Sequence, residues 1–415
     1  MKQKVIVAYS GGLDTSVIVR WLANKGYDVI AYIADVGQQE DLYAVKEKAL
    51  KTGASKVYIE DLKEDFVEHY IFQALKANAI YEGKYLLGTA LARPLIAKKQ
   101  IDIAEKEETI CLCHGCTGKG NDQVRFEFTW MRFMPDVHII SPWKDAEWLS
   151  HFKGRPDLIA YAKKENIPID VTVKKLYSTD ENIMHKSYEG GILEDPAIEP
   201  DPEMFKFTVS PQDAPDKETK ICIEFVHGIP VAVTNITENK KITGSLALFT
   251  YLNKIAGENG IGRIDIVENR FVGMKSRGVY ETPAGTILFK AHMDLESITI
   301  DRDVMHLKEF LTPMIAKLIY NGFWYSSEMD VLMAAIDKSQ ENVSGKVYLT
   351  LYKGNIMVTG RESKHSLYDT AIASMNEVGG YDQKDARGFI NIMGLPLKIR
   401  GVKDETVGKT ILYTQ

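Results

Sequence analysis

Val5-Ile6-Val7-Ala8-Tyr9-Ser10-Gly11-Gly12-Leu13-Asp14-Thr15-Ser16 opens the fold of this chain and its chemistry together. The apolar run predicts a buried strand and the glycines a tight turn. Leu13, Val17 and Trp21, with Ile18 and Leu22 beside them, predict a helix closed near Gly26. Glycine lets the backbone come close to a ligand, and the first helical turn aims unpaired N–H groups at the turn, so this corner suits phosphate. Ser10, Thr15 and Ser16 add hydroxyl donors, and Asp14 adds a carboxylate able to hold a metal ion beside the phosphates. A bare Ser-Gly-Gly is equally an ordinary capped turn. The longer motif is more specific, and it is not a Walker A loop, because no Gly-Lys-Ser/Thr follows.

The same pattern repeats downstream. Tyr27 to Ile33 reads as a second strand, Leu42, Val45 and Ala49 as a helix ended near Gly53, and Lys56-Val57-Tyr58-Ile59 as a third strand. Strands alternating with helices predict a parallel sheet whose ligands bind beyond the carboxyl ends of the strands. Ser10, Ala34-Asp35 and the end of Ile59 should then share one rim. Phe66, Tyr70 and Ala74 mark a long amphipathic helix, and Tyr85-Leu86-Leu87-Gly88-Thr89-Ala90-Leu91-Ala92-Arg93-Pro94 follows, with Pro94 expected in the first turn of the next helix. Arg93, taken alone, reads as a solvated helix residue.

Cys111-Leu112-Cys113-His114-Gly115-Cys116 runs into Thr117-Gly118-Lys119-Gly120-Asn121-Asp122-Gln123-Val124-Arg125. The thiols and imidazole invite a metal reading, but the spacing lacks the paired C-x₂-C knuckles of structural zinc sites, and buried cysteine commonly behaves as a small hydrophobe. The glycines instead predict a second backbone cradle facing the first, with Lys119 beside it and Asn121, Asp122 and Arg125 in the opening turns of a helix.

With 415 residues and 45% hydrophobic content, two folded domains are expected. Lys+Arg 51 against Asp+Glu 57 gives a net charge of −6 with no basic block, which disfavours a nucleic-acid partner. No stretch approaches membrane-spanning length and the N-terminal apolar run is too short for a signal peptide, so a cytoplasmic protein with free thiols in a reducing compartment is expected.

Beyond Val171 the alternation stops. Tyr177 to Gly191 is polar and interrupted, and His185 within it reads either as an acid–base group or as a histidine merely hydrogen-bonded in place. Ile221, Ile223 and Phe225 alternate across Gly228 with Val231 and Val233, a hairpin. Leu248, Leu252 and Ile255 mark a helix, and Arg263 to Gly285 is a charged, glycine-punctuated stretch. Val304 to Leu318 marks a long helix, and Val347, Leu349 and Leu351 pair across Lys353-Gly354-Asn355 with Ile356 and Val358. This half therefore reads as α+β.

The first loop resembles the pyrophosphate loop of N-type ATP pyrophosphatases. Together with Tyr85 to Pro94, His114 to Arg125 and Arg263 to Gly285, it resembles the argininosuccinate synthase family over both domains. The resemblance implies an α/β N-terminal domain of the HUP, adenine nucleotide alpha-hydrolase-like type with a doubly wound parallel sheet (1–168), an α+β synthetase domain (169–362) and a C-terminal oligomerisation tail (363–415). It implies ligation of citrulline to aspartate, with ATP cleaved to AMP and pyrophosphate through citrullyl-AMP, in arginine biosynthesis. Position by position it puts ATP on Ala8, Tyr9, Ser10, Gly11, Gly12, Leu13, Asp14, Thr15 and Ser16, on Ala34 and on Gly115. It puts aspartate on Thr117, Asn121 and Asp122, and citrulline on Tyr85, Asn121, Arg125, Ser178, Ser187, Glu268 and Tyr280. Ser10, Asp14 and Asp122 are the expected catalytic groups, with Mg2+ accompanying ATP and no metal bound by the protein as such.

Ala90 departs from the serine that the family usually places against citrulline, and Cys116 from a usual alanine. A related RNA-modifying sulfurtransferase would share the pyrophosphate loop, but the acidic balance argues against it. A nucleotide-binding module without chemistry is opposed by the second-domain residues that would hold an acceptor. In the tail, Leu367-Tyr368, Ile372 and Met375 form an apolar stripe that could pack on its own domain. The resemblance implies instead a homotetramer whose tail reaches neighbouring subunits.

Overall fold

The computed structural model describes residues 2–168, 177–374, 380 and 382–407. It divides into two units, 1–365 and 366–415. Residues 169–176, where the expected interdomain join begins, and Met375 of the tail stripe lie outside the described residues.

The larger unit opens with β1 (Lys4–Ala8), α1 (Leu13–Asn24), β2 (Asp28–Asp35), α2 (Leu42–Thr52) and β3 (Lys56–Asp61). The predicted amphipathic helix follows as α3 (Lys63–Phe66) and α4 (Phe72–Lys76), joined through a π-helical turn over Val67–Ile71. Then come α5 (Gly88–Lys106), β4 (Cys111–Cys113), α6 (Asp122–Phe133), β5 (His138–Ile140), α7 (Ala146–His151) and α8 (Arg155–Lys164). The five strands pair in parallel in the order β3-β2-β1-β4-β5. β1 shows why both faces must be covered: Val5 and Val7 pack with Val17, Ile18 and Trp148 on one side, while Ile6 packs with Leu91 and Leu95 on the other. Since β2 and β4 flank β1 on opposite sides, the chain reverses there and leaves a crevice at the ends of β1 and β4.

Pro94 is not in a first helical turn. α5 begins at Gly88, after Leu87 in the left-handed region at φ 66, so Pro94 lies inside the helix. Leu91 and Leu95 are buried beside it, and this packing outweighs the backbone bond that proline cannot make.

The interrupted stretch after Tyr177 forms a hairpin, β6 (Ser178–Glu181) and β7 (Lys186–Glu189), whose polar residues on both faces hide the strand pattern. β8 (Thr219–Val226), β9 (Ile229–Asn235), β10 (Lys240–Thr243), α9 (Ser245–Glu258), β11 (Arg263–Asn269), β12 (Lys275–Glu281), α10 (Pro283–Thr299), α11 (Arg302–Tyr320), α12 (Ser327–Ser339), β13 (Gly345–Tyr352) and β14 (Asn355–Glu362) complete the unit. The strands form two sheets, ordered β10-β9-β8-β13-β14 and β11-β12-β7-β6. In the second sheet Tyr280 faces Ser187, and Asp180 faces Ser187 from the other side. The smaller unit holds α13 (Thr370–Ala373), α14 (Asp385–Met393) and α15 (Leu395–Thr406), with Ile390, Met393, Leu397 and Ile399 exposed. No helix among the described residues is long and apolar enough to cross a membrane.

Candidate active site

At the carboxyl ends of β1 and β4 the chain turns sharply. Gly11, at φ 72, brings the loop against Val45, where a Cβ would stand 2.9 Å from a valine methyl. Lys48 Nζ donates to the Gly11 carbonyl at 2.6 Å, and Ser10 Oγ lies 3.2 Å from Thr15 Oγ1. Gly12 caps α1 with no side-chain hydrogen bond, so no capping side chain blocks the positive end of this 12-residue helix from an anion. Asp14 is half-buried, and burial pushes its carboxyl up against the pull of its own backbone N–H and of Arg155.

A cavity of about 700 Å³ runs from this loop to the second sheet. Ala8, Tyr9, Ser10, Gly12, Asp14, Thr15, Ala34 and Gly115 line one end, with Thr117, Asn121 and Asp122 adjoining; Tyr85, Arg125, Ser187, Glu268 and Tyr280 line the other. Four predicted positions are not in the lining. Gly11 packs on Val45, Leu13 joins the α1 core, Ser16 is buried with its Oγ 3.0 Å from the Tyr9 hydroxyl, and Ser178 is exposed on β6. Lys119 is exposed and outside the lining as well.

The far end carries opposite charges on an aromatic wall. Tyr85 stacks on Tyr280 at 4.5 Å, and Tyr81 stacks on Tyr320 at 3.7 Å. Glu268 accepts from the Tyr280 and Tyr320 hydroxyls at 3.0 and 2.8 Å, and burial pushes its carboxyl up while both hydroxyls oppose the shift. Gly278 permits this contact, because a Cβ there would overlap the Tyr280 hydroxyl. Arg125 donates to the Tyr320 carbonyl through Nε and Nη2 and to Asp122 through Nη1 at 2.9 Å. Asn121 Oδ1 accepts from the Phe271 N–H at 3.0 Å, which leaves its amide NH2 end for a ligand.

Arg93 is the residue whose solitary reading the structure revises. Its guanidinium bridges Asp122 at 2.9 Å and Asp180 at 2.7 Å in the cavity lining. Burial alone would raise the Asp122 carboxyl, but Arg93 and Arg125 outweigh it and hold the group below its ordinary value. No local signal marks this bridge, since the partners lie 29 and 87 positions away. No sequence motif marks Glu189 or Arg270, yet they pair at 2.5 Å in the cavity lining, and Arg270 donates to the Lys119 carbonyl.

The cysteine cluster has a different character. Cys111 and Cys113 are buried, and burial pushes the Cys111 thiol up to about 12. His114 Nδ1 accepts from the Cys116 N–H at 3.2 Å, so its Nε2 donates to Glu127 at 2.8 Å. Among the described residues no group of three or more His, Cys, Asp or Glu side chains is placed to hold a metal ion.

Comparison with known proteins adds to this geometry. The model described as "Arginosuccinate synthase N-terminal HUP domain" matches residues 4–168, and "Arginosuccinate synthase C-terminal domain" matches residues 177–400. The chain belongs to the argininosuccinate synthase family. Argininosuccinate synthase of Thermotoga maritima is 60% identical over 399 residues, covering 96% of this chain and 98% of that protein. Those of Xenopus tropicalis and Rattus norvegicus are 55% and 53% identical, each over 96% of both chains. As a member of the argininosuccinate synthase family, the chain is a ligase with a HUP domain. Its Ala90 is wholly buried in the core and outside the lining, whereas the neighbouring Thr89 lines the cavity; Cys116 lines it too, and burial pushes its thiol up.

Proposed function

We propose that the protein ligates citrulline to aspartate, converting ATP to AMP and pyrophosphate through citrullyl-AMP, in arginine biosynthesis. The observation that carries this reading is a single cavity with the open N-terminus of α1 at one end and the opposed charges of Arg125 and Glu268 at the other. The first suits the phosphates of ATP, and the second suits an amino acid, with Arg125 taking an α-carboxylate and Glu268 an α-ammonium group.

A ureido carbonyl is a poor electrophile because resonance stabilises it. Attack of its oxygen on the α-phosphorus breaks the bond to pyrophosphate and turns that oxygen into part of a leaving group. The amine of aspartate then bonds to the ureido carbon, and the carbon–oxygen bond to AMP breaks. Most of the protein's task is to orient the three substrates and shield them from water. In this reading Ser10 donates to the phosphates, while Thr117, Asn121 and Asp122 hold aspartate, Asp122 as a carboxylate facing its amine. Citrulline lies against Tyr85, Asn121, Arg125, Ser187, Glu268 and Tyr280, whereas Ser178 stands outside the cavity lining.

One carboxylate among hydroxyls is the donor set expected for magnesium bound chiefly by ATP itself, so Asp14 with Ser10 and Thr15 fits that ion. Magnesium supplies neutralisation of the departing pyrophosphate. We place the protein in the cytoplasm as a homotetramer, with the exposed apolar residues of α14 and α15 supporting assembly through 366–415.

The decisive experiment uses citrulline labelled with ¹⁸O in its ureido oxygen. AMP should form only with both citrulline and aspartate present, and it should carry the label. Unlabelled AMP from productive turnover refutes the adenylate.

A further inference from the structure

Behind the citrulline end of the cavity a row of hydrogen bonds ends on Asp180. His185 is wholly buried and outside the lining, its ring parallel to Tyr280 at 5.6 Å. It lies so close to Gly88 that a Cβ there would stand 2.6 Å from the imidazole. His185 Nε2 is 2.8 Å from Thr89 Oγ1, and Thr89 Oγ1 is 3.0 Å from Asp180 Oδ2, the oxygen that Arg93 Nη2 reaches at 2.7 Å.

The protons in this row can be counted. A threonine hydroxyl has a single proton and a carboxylate oxygen only accepts, so Thr89 donates to Asp180. His185 Nε2 must then donate to Thr89. His185 Nδ1 is buried with no partner, which leaves it a lone pair, since a proton there would be an orphaned donor. Burial also pushes the imidazole down to about 4, and the ring stands outside the cavity lining, so His185 is a neutral group held behind the site. Every bond runs one way, from His185 through Thr89 to Asp180.

Asp180 lines the cavity opposite Ser187, with its side chain 36% exposed and Arg93 on its other side. The electron count of adenylation shows what a carboxylate does there. As the ureido oxygen bonds to phosphorus and pyrophosphate leaves, the electron pair drawn toward oxygen leaves positive charge on the ureido nitrogens, and no proton moves. An acceptor fixed at those N–H groups binds the transition state more strongly than the neutral ground state.

We propose that Asp180 is a catalytic residue of the adenylation step, accepting the ureido N–H groups of citrulline and stabilising their developing charge, and that Thr89 and His185 are positioning residues that hold its carboxylate in place. The proposal rests on the ligase reading above and extends it to residues outside the family-derived contacts.

The test is citrulline-dependent exchange of labelled pyrophosphate into ATP, without aspartate, combined with ¹⁵N spectroscopy of the histidines. Asp180→Asn should slow exchange about 100-fold with the KM for ATP unchanged, and Thr89→Val about 10-fold, with Thr89→Ser restoring the rate. His185→Phe should slow exchange and His185→Gln, which keeps a donor near the Nε2 position, should recover it. Thr89→Val combined with His185→Phe should be no slower than Thr89→Val alone, because both break one row. His185 should show the neutral Nε2–H tautomer throughout the neutral pH range. Parent-like exchange in a folded Asp180→Asn variant, additive losses in the double variant, or an Nδ1–H tautomer would overturn the proposal. A parent protein inert toward citrulline would instead refute the ligase reading, and the tautomer would still decide the direction of the row.

Discussion

Arg93 offers the sharpest perturbation, because its planar guanidinium spans two carboxylates that face the cavity. Arg93→Met keeps much of the side-chain volume but leaves Asp122 without one of its two guanidinium partners and Asp180 without its own. Removing one partner of a buried ion pair costs ~3–5 kcal/mol, and the lower end applies because Asp122 and Asp180 retain 29% and 36% side-chain exposure. Unfolding entropy of about 2 cal/mol/K per residue over the 365-residue unit converts ~3 kcal/mol into a fall of about 4 °C in melting temperature. The Asp122 carboxyl should also rise, since Arg93 is the first of the charges holding it down, and the acid limb of activity should move to higher pH. Arg93→Lys separates charge from shape: a lysine supplies the charge but not two edges of one plane. AMP formation should fall about 100-fold in Arg93→Lys, with melting less affected than in Arg93→Met. Calorimetry and an AMP-release assay on both variants check this. Parent-like turnover in Arg93→Lys would refute the argument from geometry, and an unchanged melting temperature in Arg93→Met would show that the bridge adds no net stability.

Asp14→Asn keeps the loop's shape while removing the carboxylate in the first turn of α1, so ATP turnover should drop at least about 100-fold with the melting temperature held, and an unchanged kcat would reduce Asp14 to a helix-start residue. Glu127 is held at about 2 rather than its ordinary 4.5: burial alone would raise it, but His114, Lys144 and Ser141 together outweigh that. Its folded value is depressed, so the stabilisation is complete above the ordinary value and is lost as pH falls from about 4.5 toward 2. Denaturant unfolding should therefore find Glu127→Gln less stable than the parent by about 3 kcal/mol at neutral pH, with the gap closing as the solution is acidified through that range. A gap independent of pH would assign the loss to packing. A chain ending at His365 should give a smaller particle by light scattering with the larger unit still folded, whereas an unchanged particle size would place the interface elsewhere.

Strand and helix identity in the first half was legible because it depends on local patterns. Val5-Ile6-Val7 can satisfy its apolar side chains only inside a covered parallel sheet, and the glycines after Ser10 permit a turn that other residues resist. The same locality exposed the candidate anion site, since a loop and the helix that follows it are one stretch of chain. Local patterns failed where burial overrode them. Pro94 reads as a helix start, yet α5 runs through it because Leu91 and Leu95 are packed beside it. The β6–β7 hairpin carries polar groups on both faces, so no alternation announced it.

The partnerships within the site belong to tertiary structure alone. Arg93 is a lone helical arginine until folding brings Asp122 and Asp180 to its two edges, and Glu268 is a charged strand residue until the Tyr280 and Tyr320 hydroxyls close on it. His185 could have been an acid or a base by its type. Burial against Gly88 and Tyr280 and the single proton on Thr89 make it a neutral donor instead, because protonation state and bond direction depend on every neighbour in space.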